Sequence, residues 1–338
     1  MIAPSTFLAA ALILTATQSV AAYDVRREGD LVVLSNGESI EAAISPQHGG
    51  ELTSLRVLYG GDWRELIYRA RDYTRQTGWR GKAQLLWPAT GRSVSSHGGR
   101  DSYDLAGISY PMPQHGFARQ AAWQVIGTRV TDNDALVTLN LGDTPDSRLL
   151  YPFGFIITVE YRLAAAYLEI TYTVVAANDN EVAMPFSIGN HITLNLPLIE
   201  GSSAAETLFA SNLERLFVTT ETRVFEGETT QSPFSGPRRV GELPRRKAVS
   251  LGGANGVPML VVTDPSGFAL ELSHRVQDDD AIDAINFNLW ADTMEGFFSP
   301  EPWVGTQNSL NTGFGLVKLL PGDRWQWRVT LKPSKGGI

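Results

Sequence analysis

The stretch Phe155–Val175, FIITVEYRLAAAYLEITYTVV, decides the fold class. Phe155, Ile157, Val159, Tyr161 and Leu163 occupy alternate positions. Successive side chains of an extended strand point to opposite faces, so this spacing gives a strand with one apolar face. After a short Ala-rich turn the pattern returns at Leu168, Ile170, Tyr172 and Val174. Two such runs joined by a tight turn predict an antiparallel hairpin with one face against a core.

The same signal recurs on both sides. Upstream, Leu31 to Leu34 and Ser39 to Ile44 flank Asn36-Gly37, a dipeptide suited to the positive φ of a hairpin turn. Ala135 to Leu141 alternates. Downstream, Met259 to Val262 and Phe268 to Leu272 flank Asp264-Pro265-Ser266-Gly267. Leu316 to Leu320 and Trp325 to Leu331 flank Pro321-Gly322-Asp323, and Trp325, Trp327, Val329 and Leu331 alternate again. No stretch carries an amphipathic helix of more than about three turns. Residues 200–251 hold the weakest pattern and read as long loops and short strands. Many short strands at near-regular spacing predict an all-β chain, a large twisted antiparallel β-sandwich whose concave face suits a small ligand.

Residues 23–338 read as a single sandwich domain, preceded by a signal peptide over residues 1–22. The apolar run Phe7–Ala16 is too short to span a bilayer and ends near Ser19-Val20-Ala21, a small-residue cleavage pattern. The expected location is periplasmic or secreted, with no membrane contact after cleavage. The chain has no cysteine, which excludes disulfides, thiolate nucleophiles and Cys-type metal sites. A net charge of -8 without a basic run gives no reason to expect nucleic acid. The stretch Arg238, Arg239, Arg245, Arg246 and Lys247 reads as a solvated loop and not as a phosphate clamp.

Four segments place polar groups where the pattern is otherwise apolar or turn-like. They are Leu85 to Arg92 (LLWPATGR), Pro113 to Arg119 (PQHGFAR), Met184 to His191 (MPFSIGNH) and Pro300 to Gly305 (PEPWVG). Each candidate also has an ordinary reading. His115 can bond backbone beside Gly116, His191 can be a satisfied strand histidine, and Glu301 a surface carboxylate in a stiff turn. The chain has only five histidines, so each is worth placing.

Together, these segments resemble the ordered signature of the aldose 1-epimerase (galactose mutarotase) family. The resemblance rests on Leu86-x-Pro-x-x-Gly-Arg92, His115-Gly-Phe-Ala-Arg119 with Trp123, Asn190-His191 with Asn195-Leu196, and Glu301-Pro-Trp303. Gly49-Gly50-Glu51-Leu52-x-Ser54-Leu55 and the Pro321-Gly322-Asp323 turn are similar to the family's opening and closing strands. The resemblance implies a monosaccharide substrate, no cofactor and no metal. It implies interconversion of α and β anomers by acid–base ring opening, with Glu301 as general base, His191 as general acid serving the ring oxygen, and His115 as a second histidine polarising it. It further implies that Arg92 binds sugar hydroxyls or supports the glutamate and that Asn190 sits beside the acid. Trp303 is offered to the sugar's C–H face, with a core tryptophan as the alternative.

The sequence departs from that family in two places. Residues 200–251 contain no aspartate to bind distal sugar hydroxyls, and Asp264 reads as a turn residue. Thr193-Leu194 replaces the aromatic pair that follows the second histidine. Two other readings stand beside the enzyme. A non-catalytic carbohydrate-binding protein would keep the concave site without turnover. A glycoside hydrolase would need two carboxylates flanking the bond, and only Glu301 stands in a site-like motif.

Overall fold

The computed structural model describes residues 22–69, 81–220, 224–234, 236–245, 247–277 and 285–336. The apolar N-terminal segment, apart from Ala22, and Arg246 of the basic stretch lie outside the described residues. Among the described residues the chain is built almost wholly of antiparallel strands in two large sheets, one of 13 strands and one of 9. The longest described helix is Pro145–Leu150, and no described helix is long and apolar enough to cross a membrane.

The period-two segments form the 9-stranded sheet. Phe155–Ala164 pairs with Tyr167–Ala176 in the register Tyr161↔Ile170 and Val159↔Tyr172. The apolar sets of both strands are buried to within 1% of complete. Ile156, on the opposite face, is 51% exposed. The terminal strand Arg324–Lys335 pairs with Tyr167–Ala176 on one side and Phe268–Val276 on the other. Trp325, Trp327, Val329 and Leu331 therefore enter the same core. Val317–Leu319 does not fold back on the terminal strand across Pro321-Gly322-Asp323; it pairs with Met184–Phe186. The turn sequence thus redirects the chain to a separate short ladder and does not close a hairpin.

The 13-stranded sheet holds the Asn36-Gly37 hairpin near one edge, with Val33 opposite Ala43. Toward its middle lie Ala83–Leu86, Ile188–Ile192, Phe297–Val304 and Ile285–Asp292, followed by Val249–Ala254 and Leu213–Thr219. The last two come from the weakly patterned region, where the sequence predicts loops and short strands. Apolar side chains from both sheets form one contiguous buried cluster. Burial of this area is the dominant stabilising term at roughly 25 cal/mol per Å2 of apolar surface. The face of the 13-stranded sheet turned away from that cluster is polar along its central strands, and it carries the site.

Candidate active site

Strand register lines the polar groups up in one row. His191 lies opposite Gln84, Glu301 opposite Asn288, and Asn288 opposite Ser250. Directly opposed residues of an antiparallel pair share a face. His191 and Glu301 come from the adjoining strands Ile188–Ile192 and Phe297–Val304, and His191 Nε2 stands 3.6 Å from Glu301 Oε1. Both side chains are almost fully buried.

His115 reaches the same point from a loop. It adopts φ +67°, a left-handed conformation uncommon outside glycine, and Gly116 follows at φ +68°. A Cβ at Gly116 would lie 2.0 Å from the carbonyl oxygen of Trp87, so only glycine allows this loop to seat against the strand end. The Phe117 amide donates to that same carbonyl at 3.0 Å. The His115 amide donates to Gly91 O at 2.7 Å, and the Gly91 amide donates back to His115 Nδ1 at 3.1 Å. An Nδ1 that accepts leaves the ring hydrogen on Nε2 of a neutral imidazole. Burial first, then the neighbouring His191, Arg119 and Arg92, hold the His115 pKa well below its ordinary value. The His115 and His191 ring centroids are 5.5 Å apart.

Glu301 is held at both oxygens. Asn288 Nδ2 donates to Oε1 at 3.2 Å and Trp303 Nε1 to Oε2 at 3.1 Å. These donors favour the carboxylate, but burial outweighs them and pushes the carboxyl well above its ordinary pKa. Burial likewise, with Arg119 second, lowers His191 to about 3. The Thr193 hydroxyl donates to the His191 carbonyl at 3.1 Å, accepts from Ser299 at 3.0 Å, and lies 3.4 Å from His191 Nδ1. A lone pair facing Nδ1 favours the tautomer with hydrogen there, leaving the Nε2 lone pair toward Glu301. The imidazolium–carboxylate pair implied by the resemblance is therefore disfavoured by burial at both members. Burial acts on both groups in the direction of their neutral forms.

The other expected site residues fall differently. Asn190 is not in the cleft. It alternates with His191, so its side chain enters the space between the sheets, where Nδ2 donates to Tyr172 Oη at 2.7 Å. Trp303 lines the cleft floor at 2% exposure, and its polar edge serves Glu301. It offers no open face to a sugar. A Cβ at Gly189 would lie 2.5 Å from Trp303 Cδ1, so a glycine on the facing strand makes room for the indole. Arg92 is half-buried; it bonds Asp101 and donates to Gln114 Oε1 at 2.7 Å. It lies one residue contact from His115 and does not support Glu301. Asp264 accepts from the Ser266 amide at 2.9 Å in its own turn, as the sequence implies.

Arg119 was not among the site residues read from sequence, although it closes the His115 motif. Its guanidinium donates to Gln114 O at 3.0 Å and Gln84 Oε1 at 3.4 Å, and its charge acts on both histidines. Behind it lies a buried ion pair between Lys82 and Glu51, the glutamate of the Gly-Gly-Glu motif. Burial raises Glu51 to about 7 despite Lys82 and Arg119. Among the described residues no cluster of three or more His, Asp or Glu is placed to hold a metal ion.

The aldose 1-epimerase family model matches residues 30–286. The chain belongs to the aldose 1-epimerase family. That match ends before Glu301 and Trp303. A galactose mutarotase-like protein from Clostridium acetobutylicum superposes with a TM-score of 0.76 at 18% identity, over 93% of this chain and 99% of that one. The galactose 1-epimerase of Lactobacillus acidophilus superposes with a TM-score of 0.69 at 15% identity, over 93% and 98%. Among curated proteins, the plasmid-encoded protein LacX of Lactococcus lactis is 25% identical over 293 residues, 81% of this chain and 90% of LacX. The fold is therefore mutarotase-like, as the family resemblance implies, and an antiparallel sandwich, as the strand pattern predicts.

Proposed function

We propose that the protein is a cofactor-independent aldose 1-epimerase, acting on sugars outside the cytoplasm. The observation that carries this reading is the 3.6 Å approach of His191 Nε2 to Glu301 Oε1, with His115 beside them.

Mutarotation takes a proton from the O1 hydroxyl and gives one to the ring oxygen O5. The C1–O5 bond breaks, the aldehyde rotates about C1–C2, and the ring closes on its other face. The number of protons on the enzyme is the same before and after. The chemistry therefore needs one group with a proton and one without. Burial of His191 and Glu301 enforces that count, because it disfavours both the doubly protonated cationic pair and the fully deprotonated anionic one. In the reactive arrangement Glu301 receives the O1 proton and His191 delivers one to O5. His115, kept neutral, donates its Nε2 hydrogen to the oxygen that gains negative charge. Asn288 and Trp303 fix the carboxylate, and Arg92, bonded to Gln114 beside His115, serves the sugar hydroxyls in this reading.

Optical rotation of freshly dissolved pure anomers tests the reading. Acceleration that disappears in Glu301→Gln and His191→Ala supports the enzyme. Sugar binding by calorimetry with no acceleration for any aldose would leave a carbohydrate-binding protein.

A further inference from the structure

The row of polar side chains does not end at Glu301. It continues through Asn288 and Ser250, and the Ser250 hydroxyl donates to Asn288 Oδ1 at 2.9 Å. The next strand brings Phe217 to the same face, since Leu216 pairs with Leu251 and Arg215 with Gly252. Phe217 stacks on Phe225 with ring centroids 4.7 Å apart, forming an apolar end wall. Between Asn288 and that wall lies a cavity of about 370 Å3.

Three inter-strand steps separate the Glu301 strand from the Phe217 strand. At about 4.8 Å per step the Phe217 strand lies roughly 14 Å from the Glu301 strand, and the cavity occupies the part of that span from Asn288 to Phe217. One pyranose with O1 at Glu301 cannot fill that length. The lining beyond Glu301 consists mainly of hydroxyls and carboxamides (Thr219, Ser250, Asn288 and Gln307 among them) with an aromatic wall, and the described lining holds no carboxylate. Its one charged member, Lys247, is exposed. Neutral hydrogen-bonding groups beside apolar rings suit the hydroxyl and C–H faces of another sugar and not a phosphate. The Gln307 carboxamide packs against Gly91, the residue that holds His115, so this cavity and the histidine loop share a wall.

We propose that this cavity is a second sugar subsite, and that the protein acts on the reducing end of short oligosaccharides in preference to free monosaccharides. This rests on the epimerase reading for turnover but not for binding. The reducing ring lies at His115, His191 and Glu301, and the adjoining sugar lies over Ser250 against Phe217. Contacts to a remote ring supply binding energy that orients the reacting one.

The test compares polarimetric kcat/KM for α-glucose with that for single anomers of α- and β-linked reducing disaccharides that end in glucose. At least one disaccharide is expected to exceed glucose by about ten-fold or more. Thr219→Trp, an exposed position whose indole would fill the cavity, should bring the ratio near one, and Gln307→Ala should lower it. Equal kcat/KM across the panel, or a ratio unchanged by both substitutions, overturns the subsite while leaving the epimerase intact. Calorimetry with the methyl glycosides of the same disaccharides, which cannot open at C1, separates the two readings. Binding that Thr219→Trp abolishes, with no turnover of any aldose, refutes the epimerase and supports the subsite.

Discussion

Replacing Trp303 with phenylalanine separates two roles for this side chain. The indole is 2% exposed, packs its edge into the space left by Gly189, and donates Nε1–H to Glu301 Oε2 at 3.1 Å. Phenylalanine keeps most of the packing and removes that donor. Oε1 retains Asn288, so Glu301 loses one of its two hydrogen bonds. A hydrogen bond to a charged group contributes about 1.5–3 kcal/mol, and an unmade one in a buried place costs a similar amount. At 1.36 kcal/mol per pKa unit the carboxyl should rise by a further one to two units or so. The population of the reactive carboxylate–imidazolium form should fall by the same factor, about 10- to 150-fold, and kcat with it. KM should change little, because the indole is covered. The assay is a polarimetric rate profile against pH for wild type and Trp303→Phe, with KM and kcat separated. The decline of rate on the alkaline side should move to higher pH in the variant. A variant with unchanged kcat and raised KM would show that the indole is a platform for the sugar, and the placement of Trp303 behind Glu301 would be wrong.

Four further outcomes follow from the same geometry. Gly189→Ala, whose Cβ would meet the Trp303 ring at 2.5 Å, should lower kcat in the same direction as Trp303→Phe, and the double variant should be less than additive in a mutant cycle. Glu301→Gln should abolish acceleration yet gain stability relative to wild type as pH rises. The folded carboxyl holds its proton above the pH at which the unfolded one releases it, so wild type loses stability from the ordinary carboxyl range up through the raised value, and urea melts at about pH 5 and about pH 8 would show the gap widening. Asn190→Leu should leave kcat and KM near wild type while costing about 1–3 kcal/mol by urea denaturation, because it removes the Asn190 donor to the Tyr172 hydroxyl inside the core. Lys82→Met should destabilise by roughly 3–5 kcal/mol, since it leaves Glu51 buried without its ion pair, with the loss greatest at alkaline pH where Glu51 must ionise.

The fold was legible where one face of a strand is apolar and the other is not. Phe155–Ala164 and Tyr167–Ala176 lie with one face on the core, so period two writes their register into the sequence. Strands of the 13-stranded sheet that carry the site obscure this signal. Ile285–Asp292 and Phe297–Val304 are buried on both faces, one by the core and one by the cleft, so alternation between apolar and exposed residues never appears. Leu213–Thr219 lies in the stretch that reads as long loops and short strands, and its burial does not alternate cleanly, with Glu214 and Arg215 both exposed and Phe217 buried against a cavity.

The site was legible as a set of residues but not as a set of directions. His115, His191 and Glu301 converge, although they are far apart in sequence, two on adjoining strands and one on a loop. Asn190 was misplaced because adjacency in sequence is opposition in a strand: the neighbour of a cleft residue faces the core. Arg119 was missed because its motif reads as flank until the loop is seated on Trp87. The charge states were the least accessible of all. From composition a histidine and a glutamate suggest an ion pair at neutral pH. Only their common burial shows that both charged forms are disfavoured. Further along the same row, toward Ser250 and the Phe217–Phe225 wall, the face is hollow. The buried His191–Glu301 pair and the cavity are therefore parts of one arrangement: a row of strands covered at the pair and hollow further along.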